Sequence, residues 1–429
     1  MDRRLRLRGT EDEPLLRPLR HTGRTFYVFI AALLIIMGWF LYAWYIQLTQ
    51  GLGVSDMRTP VGAAWGVYIA NFVFFVGIAH GGIALAAAIR LLKLYKYLPV
   101  ARIGEVLTVI SIMMAGLSIT IDMGRPDRIF NIIMYWPQRV GWSSLSWDVT
   151  VIIIYFTLST AYLWLTMRKD LVLCSTKFPR LAWIYKPLLV GYRADEEAKI
   201  DRMAWWLSIA IVFLIVMLSG GVVPWIFGLL PSRPGWFSAL AGPYFLTAAL
   251  GSAFAMVIVI AFILRRVYNW QTQIGHAVFK GLGTFLGIIT LFYIYLILAE
   301  QLTMNYAAPI AELLISEKLF TGEFAPIFWP MLVLGFFAPA MMLVVQTVRS
   351  EWFSVNRTFL AAIIISVAFW IKRFLIVVPS LLRPLLPFPE GTYDPSWLEW
   401  SIVVGVFAIA ILLYTLFLKI FPIVELSEE

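Results

Sequence analysis

Apolar residues come in ten long blocks, separated by short stretches that hold most of the charged residues. Each block runs about 20 residues, which as a helix rising 1.5 Å per residue crosses a bilayer core of about 30 Å. The pattern predicts membrane-spanning helices near 26–48, 65–92, 102–122, 147–167, 203–229, 241–265, 282–304, 325–348, 355–378 and 399–421. The first block is too long for the apolar core of a signal peptide, and no small-residue cleavage site follows it, so it reads as a retained helix.

Composition agrees with this all-α integral membrane class. The chain is 61% hydrophobic and 14% charged, against about 25% charged in a soluble domain. A soluble enzyme, a disordered chain and a nucleic-acid binder are excluded. The net charge of +9 comes from Lys and Arg that border the apolar blocks. With the N-terminus inside, 25 of them fall on the inner side, seven on the outer side, and Lys372 and Arg373 within span nine. That bias predicts a multi-pass protein of the cytoplasmic membrane with both termini, including a basic tail over 1–25, in the cytoplasm. The single cysteine, Cys174, and the three histidines, of which only His80 lies inside an apolar block, predict no metal site, no iron–sulfur cluster and no bis-histidine haem in this chain.

An internal repeat suggests how the spans are grouped. Phe75, Val76, Ala79 and Gly81 recur as Phe245, Leu246, Ala249 and Gly251, four spans later. This predicts two four-helix bundles, spans two to five (65–229) and six to nine (241–378), with flanking helices at 26–48 and 399–429, the latter ending in a cytoplasmic tail. Small residues at these offsets also serve close helix packing, which explains the match without a repeat.

Ionisable groups inside spans cost about 2.5–3.5 kcal/mol each on insertion scales and point to function. His80 shares a small-residue face with Gly77, Gly81 and Ala84, while Asn71 lies on the opposite face. It reads either as a proton-transfer group, since imidazole both donates and accepts near neutrality, or as a histidine bonded to a neighbouring helix. Asp148, Tyr155, Ser159 and Tyr162 fall within about 60° on span four, and Thr108, Ser111, Ser118 and Asp122 within about 80° on span three. The two stripes are expected to meet in one bundle, with both carboxylates at the outer end. Asp148 reads alternatively as a helix N-cap, and Asp122 as an ion-pair partner of Arg125. Glu300 is expected to pair with Lys372 or Arg373 across the second bundle, as structural glue or as part of a proton path. Glu105 reads by default as solvated at the inner end of span three. Pro224 should kink span five in its outer half and open a cavity level with Asp122 and Asp148. The outer loop 123–146, rich in Trp, Pro and Gly, serves as a docking platform or as an interfacial anchor.

Three segments carry a resemblance. They are the run from Trp65 through Asn71 and His80 to Gly82, then Gly124-Arg125-Pro126, and then Ser146-Trp147-Asp148-Val149. Pro224-Trp225-Ile226-Phe227-Gly228, Arg233-Pro234-Gly235-Trp236 and Pro243-Tyr244-Phe245 continue it. Together they resemble the NrfD/polysulfide reductase membrane-subunit family, most of all its ten-helix branch, which includes the ActC-like subunit of alternative complex III. The resemblance covers spans two to nine. It implies a subunit without its own redox centre and a quinone or menaquinone site in the first bundle. A ferredoxin-like iron–sulfur partner is implied on the outer face, with further subunits that include a second NrfD-like chain. His80 and Asp148 match the family's site residues. Asp122 departs from a histidine in the family pattern, so no family role carries over to it.

The resulting expectation is a quinone-interacting subunit of a respiratory iron–sulfur oxidoreductase, of the molybdopterin-linked or alternative complex III type, able to couple to proton translocation. Its catalytic candidates are His80, Asp122 and Asp148, its quinone-binding candidates add Arg125 and Tyr155, and its proton path runs through Glu105, Glu300, Lys372 and Arg373. His80 lies too far along span two to share a headgroup with Asp148, so it is expected to move protons while the two carboxylates sit nearer the headgroup. Two other readings stay open: a partner-driven proton translocator, and a membrane anchor without a live quinone site.

Overall fold

The computed structural model describes residues 14–20, 22–57, 63–193, 197–230, 233–306, 309–383 and 390–426. Arg3, Arg4, Arg6, Arg8 and Arg58 of the charge count, His21, and most of the basic tail lie outside the described residues. Among the described residues, ten helices are long and apolar enough to cross a membrane: Arg24–Gln50, Val67–Leu91, Tyr95–Asp122, Ser146–Lys177, Ala198–Gly228, Ala241–Tyr268, His276–Tyr306, Ala325–Val348, Val355–Leu381 and Trp397–Ile420.

Most ends fall within a few residues of the hydropathy pattern, with exceptions that share one cause. Span four continues to Lys177, through Arg168, Lys169 and Asp170. An apolar window ends where the bilayer ends, but backbone hydrogen bonding does not. The connection 168–202 is therefore largely helical where it is described, with a further turn at Pro179–Leu181 and a helix at Ala182–Leu188. For the same reason span seven starts at His276. A helix between spans seven and eight, Ile310–Phe320, was not anticipated. At 11 residues it is too short to register as a span.

Span two is the centre of the molecule. Its most apolar stretch is 94% buried, against 17% for span one. Its sequence explains this, because small and apolar residues surround the whole helix and leave no face that needs lipid or water. It packs on spans three, five, six and nine, while spans three, four and five complete one group of four. Spans six, seven, eight and nine form the other, and span one lies along span ten. The two repeat segments meet at the seam. A Cβ on Gly77 would touch Ala249, and one on Gly81 would collide with the Ala249 carbonyl oxygen and the Ala253 side chain.

Gly81→Ala is therefore expected to lower the melting temperature of the purified chain. Overpacking against a backbone carbonyl costs about 1–3 kcal/mol, more than the roughly 1 kcal/mol gained by removing a helical glycine. An unchanged or higher melting temperature contradicts the tight seam.

Two spans are locally unwound. Span five carries a π turn at Leu218–Val222 just before Pro224, and span eight one at Met331–Phe337 between Pro330 and Pro339. Proline has no N–H to give, so the hydrogen-bond register slips by one residue rather than leaving a carbonyl bare. The break in span five lies in its C-terminal half, at the proline that the sequence singled out.

Candidate functional site

The break in span five has a specific neighbour. Ser219 Oγ, in the π turn, hydrogen-bonds His80 Nδ1. His80 is buried in the middle of span two. From span four, the Tyr155 ring lies 4.0 Å from the imidazole, centroid to centroid. Three polar atoms here are buried without a hydrogen-bond partner: His80 Nε2, the Tyr155 hydroxyl and Asp148 Oδ1. Asp148 sits seven residues before Tyr155 on the same face, about 10.5 Å further along the axis. The structure thus brings His80, Tyr155 and Ser219 together and leaves Asp148 two turns away.

Unpartnered polar atoms in a buried site cost about 1–3 kcal/mol each. Two of them side by side, on His80 and Tyr155, fit a ligand that offers carbonyl or hydroxyl oxygens, as a quinone headgroup does, with that of Asp148 two turns away. The delineated cavities of 820 Å³ and 450 Å³ are not lined by His80, Tyr155 or Asp148. A ring that reaches His80 Nε2 has to part Tyr155 from the imidazole.

Several expectations need correction. Asp148 is not an N-cap, because its helix starts at Ser144 with Ser143 at the cap position. Arg125 does not pair with Asp122. Its guanidinium donates two bonds, of 3.0 and 2.9 Å, to Asp127, and both side chains are exposed. That fork holds the Asp127 carboxyl below its ordinary value and leaves Arg125 facing solvent. The hydroxyl stripe of span three does not meet that of span four. It packs on span two, where Thr108 donates to the Ala79 carbonyl and Ser118 Oγ accepts from Asn71.

Asp122 belongs to this second polar cluster. Tyr68 lies in the electrostatic field of both Asp122 and Glu399 and donates to Gln47, which in turn donates to the Ile121 carbonyl. The flanking spans one and ten therefore reach into the first bundle, through Gln47 and Glu399. Glu399 also accepts from Tyr393 and Ser396 and completes the capping box of span ten.

Glu105 is fully buried rather than solvated. It accepts a 2.8 Å bond from Thr166. Nearby, Arg102 makes a 2.5 Å ion pair with Asp170 and also donates to the carbonyls of Thr166 and of Pro422 and Val424 in the C-terminal segment. Arg90 bonds Tyr162 and Glu425, and Tyr162 bonds Ser208. A polar cavity of 450 Å³ opens among Arg90, Arg102, Asp170 and Glu425.

In the second bundle, Lys372 lies near Glu300 and over the Tyr244 ring. Arg373 turns the other way. Its guanidinium stacks over Phe245 and approaches Gly77 at the seam, one turn from His80, with Nε and Nη1 unpartnered. The tyrosines Tyr244 and Tyr293 stack beside it. The loop between spans three and four forms short helices at Ile129–Met134 and Trp136–Arg139, and exposes Phe130, Met134 and Trp142.

A family model described as polysulphide reductase, NrfD, matches residues 53–384. The chain belongs to this family. This NrfD chain is 28% identical to a Halobacterium salinarum protein provisionally named as a dimethyl sulfoxide reductase membrane subunit, over 98% of its own length and 96% of the relative's. It is 24% identical to a selenate reductase subunit of Mesobacillus selenatarsenatis, over 90% and 91%. It is 22% identical to the Hdr-like menaquinol oxidoreductase integral membrane subunit of Archaeoglobus fulgidus, over 89% and 90%. The matched region takes in spans two to nine, and with them His80, Tyr155, Asp148 and Ser219.

Sequence reasoning missed Ser219 as a partner of His80, Gln47, Tyr68, Arg102, Asp170 and Glu399 as buried polar groups, and Arg90 and Glu425 as a half-buried ion pair. Ser219 had a signal, since it lies in the Gly-rich turn before Pro224. The others sit at span ends, where a charge looks solvated until the chain folds over it.

Proposed function

We propose that this NrfD chain is the quinone-interacting membrane subunit of a respiratory iron–sulfur oxidoreductase. It exchanges electrons between quinone or menaquinone and an iron–sulfur partner docked on its extracytoplasmic face. Its termini lie in the cytoplasm, where Arg90, Lys93, Arg102, Arg265 and Arg266 mark the inner ends of their spans. The observation that carries this reading is the pair of unpartnered buried atoms, His80 Nε2 and the Tyr155 hydroxyl, where spans two and four meet, with a third on Asp148 two turns away.

A bound quinone supplies a couple of two electrons and two protons. With Nδ1 held by Ser219, the imidazole presents Nε2 inward, as donor or acceptor according to its tautomer. Tyr155 presents a hydroxyl at the same level. These two groups hold and orient the headgroup. Asp148, two turns outward, holds a proton between the site and the outer surface. Asp122 and Arg125, given quinone-binding roles by the sequence, lie in other surroundings and serve the architecture of spans one, two and ten and the outer loop.

In complexes purified from membranes, Tyr155→Phe is expected to raise the KM for a quinol analogue several-fold with kcat largely kept, because it removes one binding hydroxyl. Asp148→Asn is expected to lower kcat about 10²-fold, the lower range for losing a proton-transfer group. Normal steady-state kinetics in both variants rejects the assignment.

A second reading, partner-driven proton translocation, is favoured by the inner polar cavity and the bonded series Glu425–Arg90–Tyr162–Ser208, with Glu105–Thr166 beside it. Glu300, Lys372 and Arg373 extend the candidate path into the second bundle. Glu105→Gln should then abolish proton uptake from the inner side of reconstituted vesicles while electron transfer persists. Equal uptake in the variant removes this reading.

A further inference from the structure

The 820 Å³ cavity lies between the two bundles and plays no part in the site above. Its walls come from spans two, five, six and seven, through Ala84, Ala88, Val212, Leu250 and Phe254 among others. On span two its lining runs from Ala84 to Leu92, about 12 Å along the axis. Its rim at Leu92, Val212, Val216, Phe285 and Ile288 is exposed, so one flank opens sideways to lipid.

The chemistry changes at one end. Lys96 and Tyr97, at the start of span three, meet Lys280 and Thr284 of span seven. The Tyr97 hydroxyl fits against Gly281, where any Cβ would collide with it. Lys280 Nζ donates to Ser350 and keeps further N–H groups to offer, and Lys96 Nζ lies 5.3 Å from the Tyr97 ring centroid. No Asp or Glu is among the described residues that line the cavity. Two ammonium groups, one from each bundle, thus stand at the end of an apolar slot. They lie at the level where Arg90, Lys93 and Arg266 mark the membrane surface.

We propose that this cavity is a specific site for an anionic phospholipid, with acyl chain between the bundles and phosphate bridging Lys96 and Lys280. A neutral quinone ring gives two ammonium groups nothing to neutralise. The apolar groove beside Trp370 and Trp400, of 430 Å³, has no cation in its lining and serves as the internal contrast. Because the two lysines belong to different bundles, the bound lipid ties the halves of the chain together at their inner ends. This inference does not depend on the quinone reading.

The test uses the full chain in its native complex, delipidated and placed in phosphatidylcholine nanodiscs with or without phosphatidylglycerol. Phosphatidylglycerol is expected to raise the melting temperature of the wild-type protein and to be retained through detergent washing, as read by mass spectrometry of extracted lipid. The Lys96→Gln/Lys280→Gln double variant should lose about thirtyfold in retention, the product of two surface lysines at a membrane phosphate. Ala88→Trp, which fills the slot and keeps both charges, should lose it as well, whereas Val404→Trp in the contrasting groove should not. A wild-type chain that shows no preference for phosphatidylglycerol over phosphatidylcholine overturns the proposal without any variant. So does recovery of a quinone in place of phospholipid, or equal retention in the double variant.

Discussion

His80→Ala in the assembled complex is expected to lower quinol-dependent electron transfer about 10²–10⁴-fold, the range for losing a positioned acid–base group. The imidazole is held at one nitrogen and bare at the other. Removing it takes away both a hydrogen bond to the headgroup and a proton carrier. Packing losses should be limited, because span two is held at the seam by glycines rather than by His80 itself. Assembly with partner subunits is therefore expected to survive, and electron transfer from the partner's clusters to an artificial acceptor should stay near normal. His80→Gln keeps a polar group in the pocket but cannot shuttle a proton, so it should bind quinol without restoring turnover. Full turnover in His80→Ala would show that the imidazole is only a packed core residue bonded to Ser219.

Arg102→Ala should be the most damaging substitution for stability. The guanidinium is fully buried and serves Asp170, Thr166 and two carbonyls of the C-terminal segment at once. Breaking a buried pair by removing one partner costs about 3–5 kcal/mol, because the other charge stays buried without compensation. Asp170 would be left in that position, close to Glu425, which carries the same sign. The expected result is a strong fall in membrane-inserted protein and in melting temperature, with proteolysis starting in the released C-terminal segment. The double substitution Arg102→Met/Asp170→Leu should recover much of the loss, since an apolar pair of similar volume removes both charges together. If Arg102→Ala accumulates and melts like the wild type, the inner cluster is a solvated surface feature rather than a buried clamp.

The fold was legible because bilayer thickness fixes the length of an apolar helix. Ten spans followed from block lengths alone, and Pro224 marked where span five unwinds. What hydropathy does not encode is rotation about each helix axis. The stripe of Thr108, Ser111, Ser118 and Asp122 was correct as a stripe, but it faces span two, and nothing in its own spacing says so. Asp148 looked like a cap because it stands near a Ser at a block edge, yet the helix begins four residues earlier. Glu105 looked solvated because it lies near a span end. It is buried against Thr166 of span four, beside Arg102, which the C-terminal segment covers from 320 residues away in sequence. His80 stood out for the opposite reason, as a lone imidazole in a helix built mostly from small and apolar residues. Its partner Tyr155 was visible only as one member of a face.

Photolabelling with an azido-quinone, followed by peptide mapping of the labelled complex, tests the quinone site most directly. Label is expected on the peptides of spans two and four that carry His80 and Tyr155, and it should be lost in His80→Ala and displaced by excess unlabelled quinol. Label confined to the groove beside Trp370 and Trp400 or to lipid-facing surfaces, with none on spans two and four, contradicts the assignment.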